Sequence, residues 1–152
     1  MTGFRERLFP PINDVTTDTR NPPPFVYSLP LRAGTRNSGL YGGERTASLQ
    51  RRLYPRIAPT EIPLPPAGAY EAARSAALRL GWKIVREDRD GGIFEATDTT
   101  PVFRFVDDIT IRITPSVTGS RIDARSAARL GSYDLGKNAK RLEAFLALLK
   151  NP

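Results

Sequence analysis

The stretch "DDITIRITPSVTGSRIDARSAARLGSYDLGKNAKRLEAFLALLK", Asp107 to Lys150, contains two strands, a tight turn and a helix, in that order. Ile109, Ile111 and Ile113 alternate with Thr110 and Arg112, the period of a strand with one core face and one wet face. "SVTGS" supplies the turn. "SRIDARSA" supplies a second strand, with Ile122 and Ala124 inward and Asp123 and Arg125 on the polar face. At about Leu135 the period changes. Leu135, Ala139, Leu142, Leu146 and Leu149 form one helical stripe, with Phe145 beside it. Asp134 stands where an N-cap would accept hydrogen bonds from the first helical amides.

Working upstream, "WKIVRED" and "GIFEATDTT" read as two further strands, separated by the turn "RDGG" and followed by the turn "TTPVF". Before them "AGAYEAARSAALRLG" reads as a helix. Tyr70, Ala73, Ala77 and Leu80 share one face, and Gly81 sits where a left-handed C-terminal residue belongs. "PTEIPLP" reads as a short edge strand, where proline is tolerated. The order is β-α-β4-α. Each strand has one apolar face and each helix one apolar stripe, so the economical packing is an antiparallel sheet with both helices on one face. The class is α+β.

Residues 1–66 have another texture. They hold eleven of the 14 prolines, which rules out long helices and central strands. Phe9, Ile12, Val15, Phe25, Val26, Tyr27, Leu40, Leu53, Tyr54 and Ile57 recur through them, so the expectation is an extended Pro-rich arm over residues 1–60 that packs on a domain at 61–152. One short helix is expected near "ERTASLQRRLY".

Composition excludes much chemistry. The chain has no cysteine and no histidine. That removes thiol chemistry, imidazole bases, Ser–His nucleophiles and the common zinc and copper ligand sets. No cofactor or metal site is indicated. "DVTTDT" echoes a calcium loop but lacks its glycine and terminal glutamate. The net charge of +7 makes nucleic acid a possible partner. Basic and acidic residues alternate, however, as in "VREDRDGG", and no basic helix face forms. No apolar run approaches the roughly 18 residues that cross a bilayer, and "MTGFRERLFPP" lacks the apolar stretch of a signal peptide. The chain therefore reads as soluble, and membrane association would need an anchor outside it.

The β-α-β4-α succession resembles the helix-grip and TATA-box-binding-protein-like folds. "ALRLGWKIVREDRDGGIFEAT" is similar to small helix-grip domains of outer-membrane assembly lipoproteins. "INDVTTDTRNPPPF", "YPRIAP", "GWKIVREDRDGGIFEATDTT", "FVDDITIRI" and "GSRIDARSAARLGSYDLGKNAKRLEAFL" together resemble the bacterial family called domain of unknown function 1499. This resemblance runs from about Ile12 to Leu149. It implies no activity. It implies that "TTDTRNPPPF" belongs to the fold, and it suggests an envelope setting on the periplasmic face, with the cytoplasm as alternative.

One set of polar residues forms a candidate site. Arg125, Arg129 and the start of the last helix are placed to hold a phosphate or carboxylate, with Gly131 allowing close backbone approach and Asn138 adding a donor. The same residues also fit a structural role. Arg125 and Arg129 would then pair with Glu95, Asp107 or Asp108, with Asp123 on the same polar face and Asp134 as cap. Asp107 and Asp108 are adjacent in a strand and point to opposite faces, which argues against a catalytic carboxylate pair. Lys137 and Lys140 read as solvated helix residues, and Trp82 as a core anchor. The functional expectation is a non-catalytic binding or scaffold domain that recognises an anionic small molecule, a lipid headgroup or a partner protein. The alternatives are a nucleic-acid-binding domain using its arginines and, third, a carboxylate-based hydrolase or transferase.

Overall fold

Strands with alternating isoleucines need an apolar layer to pack on, and two amphipathic helices supply it. The structure, a computed structural model, describes residues 10–151. Its elements in chain order are β1 (Asp14–Thr16), α1 (Ser28–Leu31), α2 (Gly43–Leu53), β2 (Thr60–Ile62) and α3 (Pro66–Arg79), followed by β3 (Lys83–Asp88), β4 (Ile93–Thr99), β5 (Val106–Ser116), β6 (Gly119–Ala128) and α4 (Lys137–Lys150). The class is α+β. The strands form one six-stranded antiparallel sheet in the order β1-β6-β5-β4-β3. β2 also pairs with β6, so two short strands share its outer edge. β1 runs along Arg125–Ala127 and β2 along Ser120–Ile122.

On one face Phe94 and Ala96 of β4, Ile109, Ile111 and Ile113 of β5, and Ile122 and Ala124 of β6 form the apolar core with α3 and α4. α3 contributes Tyr70, Ala73 and Ala77, and α4 contributes Leu142, Phe145 and Leu149. Trp82, just after α3, stacks on Phe145 with centroids 5.3 Å apart. Gly81, at φ 79°, adopts the left-handed backbone that ends α3. The apolar stripe expected to begin at Leu135 begins instead at Ala139. α4 starts at Lys137, and Leu135 stands outside it with its side chain exposed.

The opposite face of the sheet was expected to be wet, but it is not. Thr110 and Asp108 are fully buried, and Arg112 is largely covered. The cover comes from the polypeptide running from Asp14 to the start of α2, whose side chains and amides bond to the polar residues of β4, β5 and β6. This segment also contributes β1, a sixth strand not anticipated from the sequence, and the one-turn helix α1, which contains Pro30. α2 occupies the position of the short helix expected near "ERTASLQRRLY". Phe9 and the rest of residues 1–9 of the expected arm lie outside the described residues.

Candidate functional site

Alternation along β6 separates the expected anion ligands. Arg125 projects to the face covered by the N-terminal segment. Its neighbour Ser126 projects to the helix face, where its hydroxyl donates to Asn138 Oδ1 at 2.6 Å. Arg125 and Asn138 therefore lie on opposite sides of the sheet and do not converge. Arg125 Nε and Nη2 donate to Asp14 Oδ1 and Oδ2 at 2.9 and 2.7 Å. Its remaining bonds go to the carbonyls of Pro23 and Gly39. The guanidinium lies 4.5 Å from the centroid of the Phe25 ring. Four of its five N–H groups are thus occupied within the fold.

Arg129 is engaged in the same way. Its Nε and Nη2 both donate to Asp108 at 2.8 Å, and this bonding raises the guanidinium pKa above its ordinary value. Asp108 also accepts from Arg32 Nη1 at 2.8 Å, and Arg32, 1% exposed, donates to the carbonyls of Ala127, Ala128 and Asn37. Gly131 is engaged within the fold. Its carbonyl accepts from the side-chain amides of Asn13 and Asn37 at 2.7 and 2.9 Å and so holds the N-terminal segment. Asn138 accepts from Arg141 as well as Ser126, and it donates to Asp134 and the carbonyl of Asn13.

The carboxylates have fixed partners. Glu95 pairs with neither Arg125 nor Arg129. Its Oε2 accepts from the amides of Val26 and Tyr27, and its Oε1 from the amide and hydroxyl of Ser28. Asp123 accepts from Thr17 and Arg121. Asp107 points to the helix face and accepts from Arg141 Nη2 at 2.9 Å. Lys137 Nζ, also 2.9 Å away, makes this lysine a partner rather than a free solvated charge. Asp108 points to the other face, so the two neighbours do not share a ligand. Asp134 accepts from the amides of Gly136 and Asn138 at 2.9 and 3.0 Å, which satisfies the start of α4 from three residues before it. Asp14 and Asp18 of "DVTTDT" are taken by Arg125 and by Arg121 with Arg112.

A second location was missed in the sequence. The β4–β5 loop and the β6–α4 loop meet at one end of the sheet and border a cleft of about 250 Å³ lined by Phe105, Leu130, Tyr133, Leu135 and Lys137 above the buried Asp107. Among the described residues only Arg104 and Leu135 are non-glycine residues with positive φ, both at 56°. One lies in each loop. Left-handed backbone costs a non-glycine residue energy, and such strain gathers at functional positions. "TTPVF" was read as a turn alone, and Leu135 as part of a helical stripe. The available signal was three apolar side chains in "PVFRF", in a loop too short to bury them.

Residues 14–149 match the model of a family described as "Protein of unknown function (DUF1499)". No curated protein matches the chain. Among solved structures the chain is similar to TTHA0849 from Thermus thermophilus, at 15% identity and a TM-score of 0.37, over 62% of this chain and 92% of that one.

Proposed function

This chain belongs to the DUF1499 family, and we propose that it is a non-catalytic binding or scaffold domain whose recognition surface is the two-loop cleft at the end of the sheet. The observation that carries this reading is the pair of strained residues, Arg104 and Leu135, that hold apolar side chains outward around Lys137. The alternative of carboxylate catalysis has less support. Glu95, Asp107, Asp108 and Asp123 each already accept hydrogen bonds from two or more groups of the chain itself. The ligand class that suits the cleft combines an apolar portion with an anionic group that would share Lys137 with Asp107. The bacterial envelope setting is the expectation that the family resemblance carries. We also read the architecture as a helix-grip-like β-α-β4-α unit with a Pro-rich arm. Support for this comes from α4 lying across the sheet and from the buried pairs that join residues 14–41 to β4, β5 and β6.

The test is thermal unfolding of the wild type and of Tyr133→Ala with phosphate, carboxylates, soluble lipid headgroups and short-chain amphiphiles. Tyr133 is exposed, so the variant should remain folded. A melting shift in the wild type that the variant loses supports the reading. It fails if no compound shifts the wild type, or if the wild type hydrolyses ester or phosphoester substrates and Asp107→Asn loses that turnover.

A further inference from the structure

We propose that the same loop end docks onto an anionic lipid bilayer by inserting the tip of the β4–β5 loop. This rests on the binding reading above and names its partner.

The tip is built to project. Val102 is 80% exposed and Phe103 75% exposed, so most of their apolar surface touches nothing in the protein. Phe105, Leu130, Tyr133 and Leu135 stand around them, each about half exposed. The loop is also tied down. The Thr100 amide donates to the Phe105 carbonyl at 2.9 Å, the Arg104 amide donates to the Thr100 carbonyl at 3.1 Å, and the Phe105 amide donates to the Thr100 hydroxyl at 2.9 Å. The Phe103 and Phe105 rings stack on the outside at 5.6 Å and 19°. A braced loop that displays two phenyl rings in water has an unfavourable surface unless an apolar phase takes it up.

The charges select the occupant. From Thr100 to Phe105 and from Leu130 to Lys137 the charged residues are Arg104, Asp134 and Lys137. Asp134 is buried and spent on amides of the α4 start, and Lys137 is paired with Asp107, so the unpaired charge at the tip is the single cation Arg104. Arg104 makes no ion pair among the described residues. Aromatic and aliphatic side chains leading, with the unpaired Arg104 set among them, match the acyl boundary and anionic headgroups of a bilayer. A single-stranded nucleic acid would need a row of cations along its backbone, whereas this tip offers one unpaired cation, Arg104, among six apolar side chains.

The experiment is flotation of the full chain with vesicles of phosphatidylcholine alone and of phosphatidylcholine mixed with phosphatidylglycerol. The wild type should float with the mixed vesicles and weakly with the neutral ones, and added salt should reduce the binding. The double variant Phe103→Ser, Phe105→Ser should lose about tenfold or more in partitioning, because two rings no longer leave water. Arg104→Glu should reduce binding to the mixed vesicles only. Phe103→Trp should show quenching by brominated lipid chains that the buried Trp82 does not. Failure to float, or floating that the double serine variant retains, overturns the proposal. So does self-association or oligonucleotide binding that the double serine variant abolishes while vesicles have no effect. If vesicles fail but a soluble compound still shifts melting through Tyr133, the binding reading stands and the bilayer is the wrong partner.

Discussion

Replacing Glu95 with glutamine changes one oxygen into an NH2 group at the point where the N-terminal segment is held to the sheet. In the wild type the carboxylate is fully buried. It accepts from the amides of Val26, Tyr27 and Ser28 at 3.2, 2.7 and 3.1 Å and from the Ser28 hydroxyl at 3.0 Å. Glutamine keeps one acceptor. Two donors then face an NH2 and have no partner in a site without room for solvent. A hydrogen bond to a charged group contributes about 1.5–3 kcal/mol, so losing two should cost about 3–6 kcal/mol. That is a large share of the roughly 5–15 kcal/mol that holds a domain of this kind folded. The assay is urea unfolding, with limited proteolysis under native conditions. Glu95→Gln should lower the midpoint strongly and open residues 28–41 to cleavage before the sheet unfolds. Ser28→Ala removes one hydroxyl and should cost only about 1 kcal/mol. A loss under about 1 kcal/mol for Glu95→Gln, with no new cleavage, would show that this carboxylate does not hold the segment.

Arg129→Ala should cost about 1–3 kcal/mol, because Asp108 keeps Arg32, whereas Arg125→Ala should cost about 3–5 kcal/mol by leaving Asp14 without its guanidinium partner; denaturant midpoints give both. Burial, then the nearby Asp14, pushes the Tyr41 hydroxyl up to about 12, and the oxygen has no hydrogen-bond partner among the described residues. The raised value means that the neutral form is favoured in the fold. This contribution is complete below the ordinary tyrosine value of about 10 and is lost as pH rises toward 12. Tyr41→Phe should therefore leave neutral-pH stability within about 0.5 kcal/mol or raise it, and should flatten the alkaline loss in a melting series. Gly119→Ala should unfold the chain at markedly lower denaturant, since its Cβ would stand 2.3 Å from the Ile62 carbonyl oxygen at φ 147°. A midpoint equal to the wild type would mean that β2 does not press on that turn in solution.

The helix face was legible because one physical rule sets it. Ile109, Ile111 and Ile113, and likewise Leu142, Leu146 and Leu149, repeat at the period of their element and bury accordingly. Trp82 and Gly81 could be placed on the same grounds. The polar face was not legible, because its order depends on pairing between distant residues. Nothing in "IRITP" shows that Arg112 will be roofed by residues 18–21, and nothing near Glu95 points to the amides of Val26 to Ser28. Arg125 illustrates both cases: its face followed from alternation with Ala124, but its partner, Asp14, is 111 positions away. The loop end was missed for a different reason. A turn is recognised by its Gly, Pro and Thr content, which says nothing about where Phe103 and Phe105 point. The left-handed backbone of Leu135 removed that residue from a stripe whose spacing it otherwise fits.

The long reach of these pairs governs the order in which the chain assembles. Thr17 bonds Asp123, Asp14 bonds Arg125 and Asn13 bonds Asn138, across 106, 111 and 125 positions. The segment around β1 leaves the ribosome well before the sheet is complete, yet the surface that receives it is made from β4, β5 and β6, with Asn138 of α4 holding Asn13. Until β6 is synthesised the sheet that receives it is incomplete, and it must wait as extended chain, its prolines disfavouring long helices and central strands. Closing loops of that size is slow, so the final docking should limit the folding rate. A nascent chain halted before Asp123 would carry this segment undocked, and protection from protease would appear late, as a single step, once α4 has emerged.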